Sequence, residues 1–151
     1  LPARMPRFHA VAEPLAHGFA AEHGRRVVDA PPLAKKHPAP DRAKAELGFR
    51  LTAQNQLDCR QCHAIGSLQP RGDEKSQIAL GINFALTRDR LYADFYERFL
   101  LDPPRYDLAT RMPKLAEEGR TRAAEILDGD AQAQFDAIWQ FILTIPPSEP
   151  K

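Results

Sequence analysis

Cys59-Arg60-Gln61-Cys62-His63 is the stretch on which the reading of this chain turns. Two thiols three positions apart on one helical turn point the same way, and an imidazole follows the second directly. That junction is the attachment sequence of a c-type haem, in which the thiols add across the two vinyl groups and the histidine sits beneath the iron. Cys59 and Cys62 are the only cysteines, so one covalent haem uses both and makes His63 the first iron ligand. Neutral imidazole binds haem iron strongly, and tethering on both sides holds the ring in place through a change of oxidation state.

Three other chemistries use a CxxC. A zinc site needs two more ligands at matching spacing, yet no second CxxC or HxxxH occurs, and His9, His17, His23 and His37 all lie toward the N-terminus. A redox CxxC follows a strand in a βαβ setting, which is not visible here. A structural disulfide is the third. None of them requires the Cys62-His63 junction.

At 151 residues and 43% hydrophobic, the chain makes one modest domain with an appendage, which a covalent haem would enlarge at the core. A formal net charge of +1 suggests neither a nucleic-acid footprint nor a basic membrane-binding face. Residues 1–50 carry nine Lys/Arg against five Asp/Glu, and residues 51–151 twelve against fifteen, so a basic leader precedes a mildly acidic domain. The longest apolar runs, Phe99-Leu100-Leu101 and Phe141 to Ile145, are too short to span a bilayer. The start at Leu1, with neither initiator methionine nor signal peptide, reads as an end left by processing or trimming. Haem attachment itself implies a periplasmic or otherwise exported protein.

Four prolines between Gly24 and Pro40 mark a linker, so residues 1–40 are expected to be an N-terminal extension and residues 41–151 the domain. Within the extension, Val11, Leu15 and Phe19 give a short helix one apolar face, with Pro14 in its first turn. Asp41 is placed to cap a helix through Ala43, Leu47 and Leu51 that Gly48 weakens. Thr87 is placed to cap a helix from Leu91 to Leu100, stopped by Pro103-Pro104. A last helix from Asp128 or Asp130 buries Phe135, Ile138, Trp139 and Ile142 before Pro146-Pro147. No strand alternation is persuasive, which makes the fold class all-α.

Met112, followed by Pro113, is the best second iron ligand: a thioether is a soft, neutral donor that favours reduced iron, and the proline stiffens the loop presenting it. Ile65, Leu68, Ile78, Leu80, Phe84 and Leu108 are candidates to exclude water around the haem. Arg88, Arg90, Arg105 and Arg111 are candidates to pair with its propionates, and Tyr106 and Trp139 to approach it.

The order helix, CxxCH, long loop, helix, Met-Pro loop, terminal helix resembles a class I cytochrome c over residues 41–145. More narrowly, the segments Cys59 to Gly66, Leu86 to Leu91, Asp102-Pro103 and Thr110 to Lys114 resemble haem domains of large multi-domain bacterial proteins, notably those of planctomycetes. The resemblance implies the class I cytochrome c fold wrapped around one haem c. It also implies Cys59 and Cys62 as thioether anchors, His63 as proximal ligand and Met112 as distal ligand. Members of the family have a Gly-Pro pair whose proline carbonyl accepts a hydrogen bond from the proximal histidine. Here the counterpart is Gly81-Ile82-Asn83, and any backbone carbonyl can accept that bond, so Ile82 inherits the role.

The pentapeptide Arg4-Met5-Pro6-Arg7-Phe8 echoes Arg111-Met112-Pro113-Lys114-Leu115, which is either a chance repeat or the tail of a preceding haem domain. The functional expectation is an electron carrier, not an enzyme, exchanging single electrons with redox partner proteins or domains. The competing class is a haem enzyme or a gas or peroxide sensor with an open or replaceable distal site, reached by displacing Met112 or by His9 or His37 swinging in. A purely structural haem module is the third class.

Overall fold

The computed structural model of the chain describes residues 12–22, 37–72 and 80–146. Two compact units divide it, Leu1–Lys35 and Lys36–Lys151. His37 to Pro40, assigned by sequence to the linker, therefore fall within the second unit. His37 shows how: its Nε2 lies 2.8 Å from the Arg88 carbonyl, and its ring meets Trp139 edge-on at 5.5 Å. The echo around Met5, and His9, His23 and Ile78, lie outside the described residues.

In chain order the described elements are α1 (Ala12–Glu22), α2 (Arg42–Leu51), a 3-10 turn (Cys59–Gln61), α3 (Phe84–Arg90), α4 (Ala93–Leu101), α5 (Pro103–Tyr106), β1 (Ala116–Glu117), β2 (Arg120–Thr121), a second 3-10 turn (Leu127–Gly129) and α6 (Ala131–Thr144). The protein is thus mostly helical with little strand. α1 forms the first unit's described part, and its Leu15 and Phe19 are exposed.

The second unit is organised by α2 and α6. Asp41 caps α2 by accepting from the Lys44 amide, and Asp130 caps α6 by accepting from the Ala133 amide, so each helix starts where a short acceptor meets orphan N–H groups. α6 buries Phe135, Ile138, Trp139 and Ile142 against Leu51 and Leu57. Gly48 does more than weaken α2. A Cβ there would lie 2.9 Å from Ile138 Cα and closer still to the Ala137 carbonyl, so glycine lets the two backbones touch. Gly48→Ala is expected to force the helices apart at a net loss of about 2 kcal/mol or more, despite alanine's better helix propensity. Thermal unfolding measures it, and an unchanged midpoint would remove Gly48 from the crossing.

The helix expected from Thr87 is two helices. Asn83, not Thr87, is the cap: its Oδ1 accepts from the Ala85 amide, and α3 ends at Leu91, whose extended backbone (φ −111°, ψ 151°) separates it from α4. Thr87 is buried inside α3. Pro103 does stop α4, and itself opens α5 as a first-turn proline. A small antiparallel hairpin qualifies the all-α expectation, pairing Ala116 with Thr121 and Glu117 with Arg120. Glu118 (φ 49°) and Gly119 (φ 76°) both turn left-handed, the conformation a two-residue hairpin favours.

The loop between the hairpin and α6 hangs on Gln134, which is fully buried. Its amide donates to the carbonyls of Ala123 (2.8 Å) and Ile126 (2.6 Å), and its oxygen accepts from the Thr121 hydroxyl (2.6 Å). A buried amide so engaged fixes the loop whose Ala123 and Ile126 side chains enter the core.

Candidate haem-attachment site

Cys59 to Gln61 form a tight turn in which both the Cys62 amide (3.2 Å) and the His63 amide (2.9 Å) donate to the Cys59 carbonyl. The two cysteines are not joined to each other. Asp58 enters the turn in the left-handed region (φ 60°, ψ 30°), a conformation Asp tolerates better than most residues.

The chain that follows wraps back over the motif and satisfies its carbonyls one after another. Arg71 N–H donates to Arg60 O (2.9 Å), Gly72 to Gln61 O (2.9 Å), Gly81 to Cys62 O (2.8 Å) and Phe84 to Ala64 O (2.9 Å). Asn83 locks the end of the wrap by accepting from the Gly66 amide (3.0 Å) and donating to its carbonyl (2.7 Å). A motif whose main chain is paired in this way is fixed relative to the residues at 71–72 and 81–84 that wrap it.

His63 is held from three sides. Its Nδ1 lies 2.8 Å from the Ile82 carbonyl. Because a carbonyl only accepts, Nδ1 carries the proton and Nε2 holds the ring's basic lone pair, the position a metal would take. Phe84 packs on the ring at 4.9 Å between centroids. Gly81 lies flat against it, where a Cβ would stand 2.8 Å from Nε2 and closer to Cε1 and Nδ1. Burial pushes the His63 pKa down, only partly opposed by the Ile82 carbonyl, which favours the neutral imidazole, the form able to bind a metal. Burial likewise pushes the Cys59 thiol up to about 12 and raises that of Cys62, with Asp58 adding to both.

Protein-family models, curated proteins and solved structures were compared with the chain, and none matches.

Cys59, Ile65 and Met112 pack on the margin of one core cluster, with Phe84 inside it. Met112 is half-buried, and its amide donates to Thr110 Oγ1 at 3.3 Å. Of the expected pocket, Phe84 is buried and Ile65 half-buried, whereas Leu68, Leu80 and Leu108 are exposed, Leu108 at 94%. Leu80 and Ile82, also exposed, flank the glycine under the His63 ring. Arg88 is engaged with Asp89 (3.2 Å) and the Ile145 carbonyl (3.4 Å), while Arg90, Arg105 and Arg111 are exposed. Tyr106 joins Phe95 and Phe99 in a partly exposed ring cluster, and Trp139 is buried between His37 and Tyr96.

Among the described residues no three His, Cys, Asp or Glu side chains come together to hold a metal ion. His37 is engaged with Arg88 and Trp139. The donor chemistry fits a covalent haem: two unpaired thiols, an imidazole whose proton sits on Nδ1, and a thioether that packs, like Cys59, at the margin of the core cluster. Sequence reasoning missed Arg71 and the two hydrogen bonds between the Asn83 side chain and the Gly66 main chain. A signal for Asn83 existed, since Asn is a favoured cap. Arg71 had none, because its partners lie thirteen and seventeen residues away.

Proposed function

We propose that this chain is an electron-transfer domain of the class I cytochrome c kind, bearing one haem c anchored by Cys59 and Cys62 with His63 and Met112 as axial ligands. The observation that carries the reading is the Nδ1 bond of His63 to the Ile82 carbonyl, in a loop whose glycine lies against the ring. A metal-ligating histidine needs such a partner to fix its tautomer and orientation.

When bound, haem supplies a one-electron couple. The residues keep the change of geometry between its two states small. His63 is held by its neighbours on both sides of the motif, by Ile82 and by Phe84. Asp107 and Thr110 hold the Met112 loop through Ala109 N–H to Asp107 Oδ1 (2.9 Å) and Thr110 N–H to Asp107 O (3.1 Å). The exposed Leu80 and Ile82, on the loop against the His63 ring, offer apolar surface where a porphyrin edge and a redox partner protein or domain would meet. Haem c is attached outside the bacterial cytoplasm, which makes the protein periplasmic or otherwise exported. No described helix is long and apolar enough to cross a membrane.

The test is to express the chain with haem-attachment machinery and record spectra of both oxidation states with and without carbon monoxide. Covalent low-spin haem with a near-infrared sulfur-to-iron band and no carbon monoxide binding is the expected result. High-spin iron that binds carbon monoxide overturns it in favour of an open-site enzyme or sensor.

A further inference from the structure

Between α2 and Cys59 the chain makes a tight loop, Ala53 to Asp58, that two distant arginines grip. Arg122, beyond the hairpin, donates through Nε to the Gln56 carbonyl. Arg71, in the wrap after the motif, donates through Nη1 to Gln54 Oε1 (2.6 Å) and through Nη2 to Asp58 Oδ1. The Asp58–Arg71 pair is partly shielded, with 20% and 36% of the side chains exposed. Asp58 is also the left-handed residue that aims the turn, its amide donating to Ala53 O (3.0 Å) and its carbonyl accepting from Gln61 (3.0 Å).

The position of this pair is electrostatically significant. Asp58 is covalently next to Cys59, and its field reaches both thiols, raising each. A carboxylate there, one residue before a haem anchor, is a negative charge beside a redox centre. Arg71 is the cation paired with it, and the charge of Arg122 also reaches Cys59, acting there against Asp58. The Arg71 main chain is anchored to Arg60 O and its Nη1 donates to Gln54 Oε1, two holds that do not depend on the carboxylate.

We propose that Asp58 and Arg71 form a potential-setting pair, in which the carboxylate aims the turn that presents Cys59 and the guanidinium cancels the carboxylate's field at the cofactor. This rests on the haem reading above. Both are positioning and charge-compensating residues, and neither touches the iron. Adding one electron makes the site one unit more negative, so an unanswered carboxylate opposes reduction and an unanswered guanidinium favours it.

The experiment is protein-film or solution redox titration of the haem-loaded chain with Arg71→Gln, Asp58→Asn, the double variant and Arg71→Lys. Asn keeps the tolerance for the left-handed region, and Gln keeps a hydrogen-bonding arm. Arg71→Gln is expected to move the midpoint negative and Asp58→Asn to move it positive. Each shifts the oxidised-to-reduced ratio at fixed applied potential by roughly two- to tenfold. The double variant and Arg71→Lys return near the starting value. Thermal unfolding, followed alongside, falls in both single variants. Loss of stability without opposite shifts of potential overturns the proposal and leaves a merely structural pair. A parent chain that takes up no covalent haem overturns the electron-transfer reading, a failure visible before any variant is made.

Discussion

With His63 ligating haem iron as proposed, a Gly81→Ala protein is expected to lose that ligand. The new Cβ would occupy space the imidazole fills, 2.8 Å from Nε2 and nearer to the other ring atoms. The ring must turn away or the 80–83 loop must lift. Turning breaks the Nδ1 bond to the Ile82 carbonyl, and lifting also breaks Gly81 N–H to Cys62 O. Either way the ligand loses the partner that fixes its tautomer, a loss that costs on the order of 10–100-fold in metal affinity or activity. The measurement is the yield of low-spin, covalently loaded protein and its midpoint potential. A loaded Gly81→Ala protein with the parent spectrum and potential would show that the ring does not need this surface. Ile82→Ala, by contrast, retains the carbonyl and is expected to leave the spectrum nearly unchanged, because the bond is made by main chain.

The features legible in the sequence are those set by local chemistry. Asp41 and Asp130 cap α2 and α6 because a short acceptor before an apolar-periodic run is a local signal, and the residues expected to be buried on α6 are buried. The Ile82 carbonyl was legible through the family resemblance, and the hydrogen bond is present. What was illegible depends on distant partners. Gly48 reads as a weak point in a helix until Ala137 is seen against it. Thr87 is as good a cap by type as Asn83, and the choice falls to Asn83, whose amide is also bonded to Gly66, seventeen residues away. The hairpin escaped notice because two residues a side cannot show alternation, although Gly119 was its one cue. Leu68, Leu80 and Leu108, candidates to exclude water around a haem, are exposed on the protein surface, because apolar character marks what a side chain can cover and not what lies over it.

Met112→Ala is expected to open the distal side of the iron without moving the loop that carries the residue. Three bonds hold that loop by groups the substitution leaves intact: Met112 N–H to Thr110 Oγ1, Ala109 N–H to Asp107 Oδ1, and Thr110 N–H to Asp107 O. Only the thioether goes. Met112 is half-buried against the core, so truncation also costs about 1–2 kcal/mol of packing. That loss lowers the unfolding midpoint modestly and cannot by itself alter the iron. The ligand effect is larger and of a different kind: a soft neutral donor that favours reduced iron is removed. The near-infrared sulfur-to-iron band should vanish, carbon monoxide should bind, and the midpoint potential should fall. Spectra unchanged by Met112→Ala would sink the His/Met assignment and leave the sixth ligand to another residue. Carbon monoxide binding in the parent protein as well would instead mark an open site, which Met112 had never closed.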